Sequence, residues 1–190
     1  VSSEALPVAD VLRDLGGALD AFGARWYLFG AQAAILYGVT RLTADVDVTV
    51  ALGTRSSREL VAALSNRGFR LRVQDVGGFV ESTRVLPLVH ERSRLPVDVV
   101  LAGPGLEELF LERATTRQIG DASVPVAAPE DVIAMKILAG RPHDFDDVAA
   151  MVRARRDAID LGAIRQTLRL LEQALDRADL VRELDRLAGS

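Results

Sequence analysis

Asp45 and Asp47 flank a single valine in the run Ala44-Asp45-Val46-Asp47-Val48-Thr49-Val50. Valines at 46, 48 and 50 alternate with polar residues, the period of two that marks a half-buried strand. On one strand the two carboxylates leave the same face, roughly 6.5 Å apart. Like charges so placed repel unless a cation sits between them. Hard cations such as Mg²⁺ take carboxylate oxygens. Upstream, residues 26–29 are an aromatic and aliphatic run ending at Gly30. A strand-to-helix turn there would present backbone amides to a phosphate. A dinucleotide fingerprint needs further glycines at fixed offsets, and Gln32 and Ala33 stand in the way. Lys136 is the only lysine among 23 basic residues. Ammonium and guanidinium are not interchangeable at a phosphate, which makes Lys136 a candidate for a specific task. It falls in an almost wholly apolar stretch, so it needs a partner or a cleft to reach into.

Several elements must position these groups. Val8, Val11, Leu12, Leu15 and Leu19 predict an amphipathic helix over 8–22, weakened by Gly16-Gly17. Residues 26–29 predict a strand, 31–37 a helix ended by Gly38, and 46–50 the carboxylate strand. Ser56 or Ser57 can cap the next helix, which Gly68 ends. A strand is expected over 69–73. Gly77-Gly78 then predicts a mobile loop over 75–82. Residues 84–90 and 95–101 form a hairpin around a polar turn, with Pro87 requiring an edge or bulge position. Asp98 lies among Val97, Val99 and Val100. It is either a solvent-facing residue of an edge strand or a functional carboxylate, because an unpaired buried one is costly. A helix over 106–112 and short strands over 117–120 and 123–126 follow. Pro129 opens a helix that Gly140-Arg141-Pro142 breaks. His143-Asp144-Phe145-Asp146-Asp147 opens another, its acids complementing the helix dipole. His143 reads as an exposed loop residue rather than a base. Leu161, Ile164, Leu168, Leu171 and Leu175, then Leu180, Val181, Leu184 and Leu187, make a helical-bundle seam with a slip near Asp176.

A glycine after an apolar strand, followed fifteen residues later by Asp-x-Asp, resembles the signature of the DNA polymerase β-like nucleotidyltransferase superfamily. Arg41-Leu42-Thr43 ahead of the carboxylates is similar to the AbiEii-type toxin branch. So is the block from Lys136 through Arg141 to the acids opening the next helix. The resemblance covers roughly residues 26–50 and 129–152, plus Asp98. It implies an α/β (α+β) fold class: a nucleotidyltransferase fold with a small mixed β-sheet flanked by helices, then a C-terminal helical bundle. The expected domains are a nucleotidyltransferase core over 1–128 and a helical domain over 129–190. It also implies that Asp45, Asp47 and Asp98 hold two Mg²⁺ ions, with Asp98 serving the acceptor hydroxyl. Gly30, Ala31, Arg41, Thr43 and Lys136 would meet the NTP, while Asp147, with Asp144 as the second candidate, would orient Lys136 or substrate. The pattern departs at Ala31, where the family usually has Gly or Ser; a backbone amide remains and a hydroxyl is absent.

The implied activity is transfer of NMP from an NTP to an acceptor hydroxyl, with tRNA as one acceptor, a toxin role and an antitoxin partner. An antibiotic nucleotidyltransferase acting on a small hydroxylated drug, and a non-catalytic nucleotide- or partner-binding module, are the alternatives. Composition bounds these readings. The chain has 190 residues, 49% hydrophobic and 26% charged, enough for a sizeable core. With no cysteine, disulfides and thiolate metal sites are excluded. A net charge of −4 without a basic tail argues against strong non-specific DNA binding. No apolar run reaches the ~20 residues of a membrane span, and no signal-peptide pattern is present, so a cytoplasmic location is expected.

Overall fold

The computed structural model describes residues 7–73 and 76–189. Nine helices and seven strands are assigned among them, and the chain divides into two compact units. The first comprises residues up to Gln32 and Thr43–Ala127; the second comprises Ala33–Leu42 and the residues from Ala128 onward.

The first unit is built on one mixed sheet. Its strands are β1 Arg25–Phe29, β2 Val46–Ala51, β3 Phe69–Leu71, β4 Val85–His90, β5 Pro96–Leu101, β6 Thr115–Ile119 and β7 Ala122–Val126. They lie in the order β3-β4-β5-β2-β1-β7-β6. β2 runs antiparallel to β1 and parallel to β5, and β4 pairs antiparallel with β5 as the expected hairpin. Alternation does the sorting: Val46, Val48, Val50, Val97, Val99, Leu86 and Leu88 are almost fully buried. Residues between them, such as Asp47 and Asp98, keep partial access to water.

Helix α1, Pro7–Phe22, packs on β1 and β7 and buries Val11, Leu12, Leu15 and Leu19. Its central glycine has a packing reason. A Cβ on Gly16 would sit 3.2 Å from Cζ2 of Trp26, so the indole takes the space and donates from Nε1 to Asp20 at 3.2 Å. Helix α3, Ser57–Ser65, starts with a complete capping box: the Ser56 hydroxyl accepts from Glu59 N–H, and the Glu59 carboxylate accepts from Ser56 N–H. Helix α5, Leu106–Arg113, lies beside β1.

Three expectations are corrected in this unit. The loop expected over 75–82 is a helix, α4, Val76–Thr83; Asp75 lies outside the described residues. Its two glycines do not break it, and the Ser82 and Thr83 hydroxyls donate to the carbonyl of Phe79. Pro87 occupies neither an edge nor a bulge, since β4 lies between β3 and β5. Its carbonyl accepts from Arg72 N–H at 2.9 Å, and the reciprocal donor that proline lacks is missed only where β3 has already ended. Asp45 is not within the strand: it stands one residue before β2 begins at Val46.

In the second unit the last residues of α2, Gly30–Leu36, join α6 Pro129–Ala139, α7 Pro142–Ala154, α8 Leu161–Leu175 and α9 Leu180–Ala188. Helix α6 buries Val132, Ile133, Ala134 and Ile137 and ends at Gly140, which adopts φ +67°. A Cβ on Gly38 would lie 2.5 Å from that of Ala154, so this glycine sets a close backbone approach. The C-terminal seam is formed in part: Ile164, Leu168, Leu180, Leu184 and Leu187 are buried, Leu161, Leu171 and Val181 are half-buried, and Leu175, one residue before the slip, is exposed; Asp176 takes the left-handed conformation there. Among the described residues no helix is long and apolar enough to cross a membrane.

Candidate active site

Gly30 ends β1 with φ +67°, a conformation that costs a residue bearing a Cβ roughly 1–2 kcal/mol. Space restricts it further. A Cβ there would fall 2.1 Å from Oδ2 of Asp47, so the Asp47 carboxylate lies directly over the glycine backbone. Asp47 pairs in register with Phe29 on β1 and with Asp98 on β5. Register partners present their side chains to the same face of a sheet. The sheet thus brings Asp47 and Asp98, fifty-one positions apart in sequence, to adjacent places on one face.

Asp45 is exposed, just outside the strand. Its N–H donates to the Thr43 hydroxyl at 3.4 Å, and the Thr43 carbonyl accepts from Gln32 Nε2 at 3.3 Å. Ala31 is buried in the first turn of α2. Among the described residues no three His or carboxylate groups are assembled as a ready cation cage. Asp98 instead engages the guanidinium of Arg72. The donor chemistry fits a hard cation all the same: two register-paired, partly exposed carboxylates with no side chain at Gly30 beneath them.

Lys136, Arg41 and Asp147 come together in the second unit. Lys136 Nζ is buried and donates to Asp147 Oδ2 at 2.7 Å and to Asp144 Oδ1 at 3.0 Å. Asp147 also accepts two hydrogen bonds from Arg41, each 3.1 Å, in the fork geometry that suits a carboxylate. Arg141 closes the other end, with Nε 2.6 Å from Asp144 Oδ2. His143 is exposed as expected, but in the first turn of α7 rather than a loop.

Burial alone would raise the Asp144 carboxyl. The hydrogen bonds and charges of Arg141 and Lys136 outweigh it and hold the pKa below the ordinary 3.8. A carboxyl depressed on folding adds stability in full above its unfolded pKa and loses it as pH falls through the folded value. Asp144→Asn is therefore expected to be less stable than the parent at neutral pH. The gap should narrow as pH drops below about 3.8, read from urea unfolding midpoints across a pH series. A gap that stays constant down to acid would show that the network does not hold this proton off.

Sequence reasoning missed Arg72, Gln32 and the part played by Arg141. Arg72 offered no signal, because only strand register puts it beside Asp98. Arg141 read as part of a helix break, and its ion pair forms across that break.

A family model described as nucleotidyl transferase AbiEii toxin, Type IV TA system, matches residues 13–188. The chain belongs to this family. This AbiEii-family protein is accordingly a nucleotidyltransferase. Solved structures share its fold, two of them as follows. ANT(2'')-Ia, in complex with adenylyl-2''-tobramycin, is 15% identical with a TM-score of 0.60, over 90% of this chain and 99% of that one. An antigenic nucleotidyltransferase-like protein from Paracoccidioides brasiliensis is 20% identical with a TM-score of 0.53, over 97% of this chain and 94% of that one. No curated protein matches the sequence. The mixed sheet flanked by helices, with helices at the C-terminus, agrees with the fold class read from the sequence.

Proposed function

We propose that this AbiEii-family nucleotidyltransferase moves NMP from an NTP to a hydroxyl of an RNA acceptor such as tRNA, as the toxin of a toxin–antitoxin pair. The observation that supports the transfer site best is the register pairing of Asp47 with Asp98 above Gly30. Asp98 accepts the proton of the acceptor hydroxyl. The freed oxygen attacks the α-phosphorus, the bond from that phosphorus to the bridging oxygen breaks, and pyrophosphate leaves. The protein's share of this reaction is position and charge rather than covalent chemistry. Asp45, Asp47 and Asp98 are the residues to hold Mg²⁺, with two ions expected. Bound Mg²⁺ supplies charge neutralisation on the triphosphate and on the attacking and leaving oxygens. The backbone at Gly30 and Ala31 offers amides to the phosphates, and Thr43 steadies the segment before Asp45. In the second unit Lys136, Arg41 and Arg141 set three positive charges against Asp144 and Asp147. That surplus of one positive charge is consistent with the nucleotide role that the family resemblance gives Arg41, Lys136 and Asp147.

The test is transfer of radiolabel from each α-labelled NTP into total tRNA with Mg²⁺, beside an Asp47→Ala control. Label that enters tRNA and vanishes in the control is expected. Absence of label from every NTP would remove tRNA as the acceptor. Tobramycin, named with one structural neighbour, is then the next acceptor to try.

A further inference from the structure

One row of residues crosses the first unit's sheet. Phe29, Asp47, Asp98 and Pro87 follow one another in register across β1, β2, β5 and β4. Arg72 extends the row, since its N–H donates to the Pro87 carbonyl at 2.9 Å. Its guanidinium folds back over β4: Nε donates to the Leu88 carbonyl at 2.9 Å and Nη2 engages Asp98. The order along the face is the Gly30 turn, Asp47, Asp98, then a cation.

The two ends of this row differ chemically. The Gly30 and Asp47 end suits the triphosphate. Asp98 is the carboxylate for the acceptor hydroxyl, so the body of the acceptor extends from Asp98 toward β4 and β3. Arg72 stands on that path, on the side of Asp98 away from Asp47. Arg70, two residues earlier and so on the same face of β3, is exposed and its Nη1 is 3.6 Å from Glu91. The Arg72–Asp98 pair is itself open to water, with side-chain exposures of 39% and 41%. An ion pair so exposed contributes little to stability, so the fold does not depend on it and it exchanges readily. A guanidinium has five N–H donors in a planar fork that matches a phosphate.

We propose that Arg72 binds a phosphate of the acceptor strand and gives up Asp98 in doing so. Asp98 is then released to act on the hydroxyl only when an anionic acceptor is seated. Arg72 becomes both a specificity residue and a positioning residue. It favours a phosphodiester-bearing acceptor and disfavours a polycationic one. This inference rests on the reading of the first unit as a nucleotidyl-transfer site.

The test measures binding rather than turnover. Fluorescence anisotropy of a short fluorescein-labelled single-stranded RNA, over a series of salt concentrations, is compared for the parent, Arg72→Gln, Arg72→Lys and Asp98→Asn. Arg72→Gln is expected to weaken RNA binding roughly tenfold and to flatten the log–log salt slope by about 0.7, the value for one phosphate contact on a single strand. Arg72→Lys should keep the slope and lose part of the affinity. Asp98→Asn, which frees the guanidinium, should bind RNA more tightly than the parent, and the gain should be larger with Arg72 present than in the Arg72→Gln background, where only the lost carboxylate repulsion remains. Unchanged affinity and slope in Arg72→Gln would overturn the phosphate contact, and binding in Asp98→Asn no tighter than the parent's, or a gain of equal size without Arg72, would overturn the exchange. Mg²⁺-dependent ATP binding, followed by calorimetry, separates the two readings. If Asp47→Ala retains it in full, the transfer site is misassigned, whatever Arg72 does.

Discussion

Lys136→Met is expected to lower the unfolding free energy by about 3–5 kcal/mol, the usual cost of removing one partner from a buried ion network. Lys136 Nζ and the carboxylates of Asp144 and Asp147 are all nearly inaccessible, at 5%, 1% and 3% side-chain exposure. The variant leaves two buried carboxylates sharing two arginines. Arg41 remains on Asp147 and Arg141 on Asp144, but the space between the acids holds a thioether in place of an ammonium. Against a typical domain stability of roughly 5–15 kcal/mol the loss is large. Chemical denaturation of the parent, Lys136→Met, Asp147→Asn and the double variant gives the test. The double variant should lose much less than the sum of the singles, because both remove the same interaction. Additive losses, or a single loss under about 1 kcal/mol, would remove the network from any account of stability. Activity lost in a Lys136 variant must therefore be read beside its unfolding curve. Lys136→Arg does not rescue it, since the site encloses a compact ammonium and a guanidinium is larger and planar.

With Asp47 in its proposed metal-binding role, Gly30→Ala is expected to reduce nucleotidyl transfer roughly 100-fold, the upper range for residues that orient a metal-binding group without touching the metal. Two costs combine. Alanine must take φ +67°, and its Cβ would overlap the Asp47 carboxylate at 2.1 Å. The cheapest relief is rotation of Asp47, which takes the carboxylate out of line with Asp98. The signature is a large fall in transfer and in Mg²⁺-dependent ATP binding, with a stability loss of only about 1–2 kcal/mol. Near-parent ATP binding in Gly30→Ala would show that the close approach has no role in holding Asp47. Substitution at Gly53 is the control. That glycine also has positive φ, at +60°, but a Cβ there meets nothing within 4 Å, so it should disturb the backbone and leave Asp47 in place.

The legible parts of the chain were those written in local pattern. The alternation around Asp47, a serine cap at 56 or 57, the hairpin that carries Asp98 and most of the terminal leucine seam all rest on neighbours a few residues apart. The row Arg72–Pro87–Asp98–Asp47 rests on strand order instead. No periodicity encodes that β5 inserts beside β2 rather than at an edge. Pro87 illustrates the limit: it sits inside the sheet because β3 stops one residue short of needing its missing donor, a fact about the partner strand. Helix α4 was hidden for another reason. Its composition, with Gly77-Gly78 and few strong helix formers, favours a loop by propensity alone, and side-chain hydrogen bonds from Ser82 and Thr83 help to close its last turn. Lys136 was conspicuous by its rarity, yet its pairing with Asp144 required the chain to turn at Gly140, and the claim of Arg41 on Asp147 spans 106 positions.

That last separation has a consequence for biosynthesis. Arg41 leaves the ribosome 106 residues before Asp147. At ~5–20 residues per second its partner follows roughly 5–20 s later. Throughout that interval Tyr37 and Gly38 also wait for Arg155 and Ala154, which they meet in the finished protein. The ten residues Ala33–Leu42 are thus an early-made segment without its final neighbours, while the sheet residues on either side of it can already begin to pair. A nascent chain stalled before α7 should expose this segment to protease, and release of the full chain should close it.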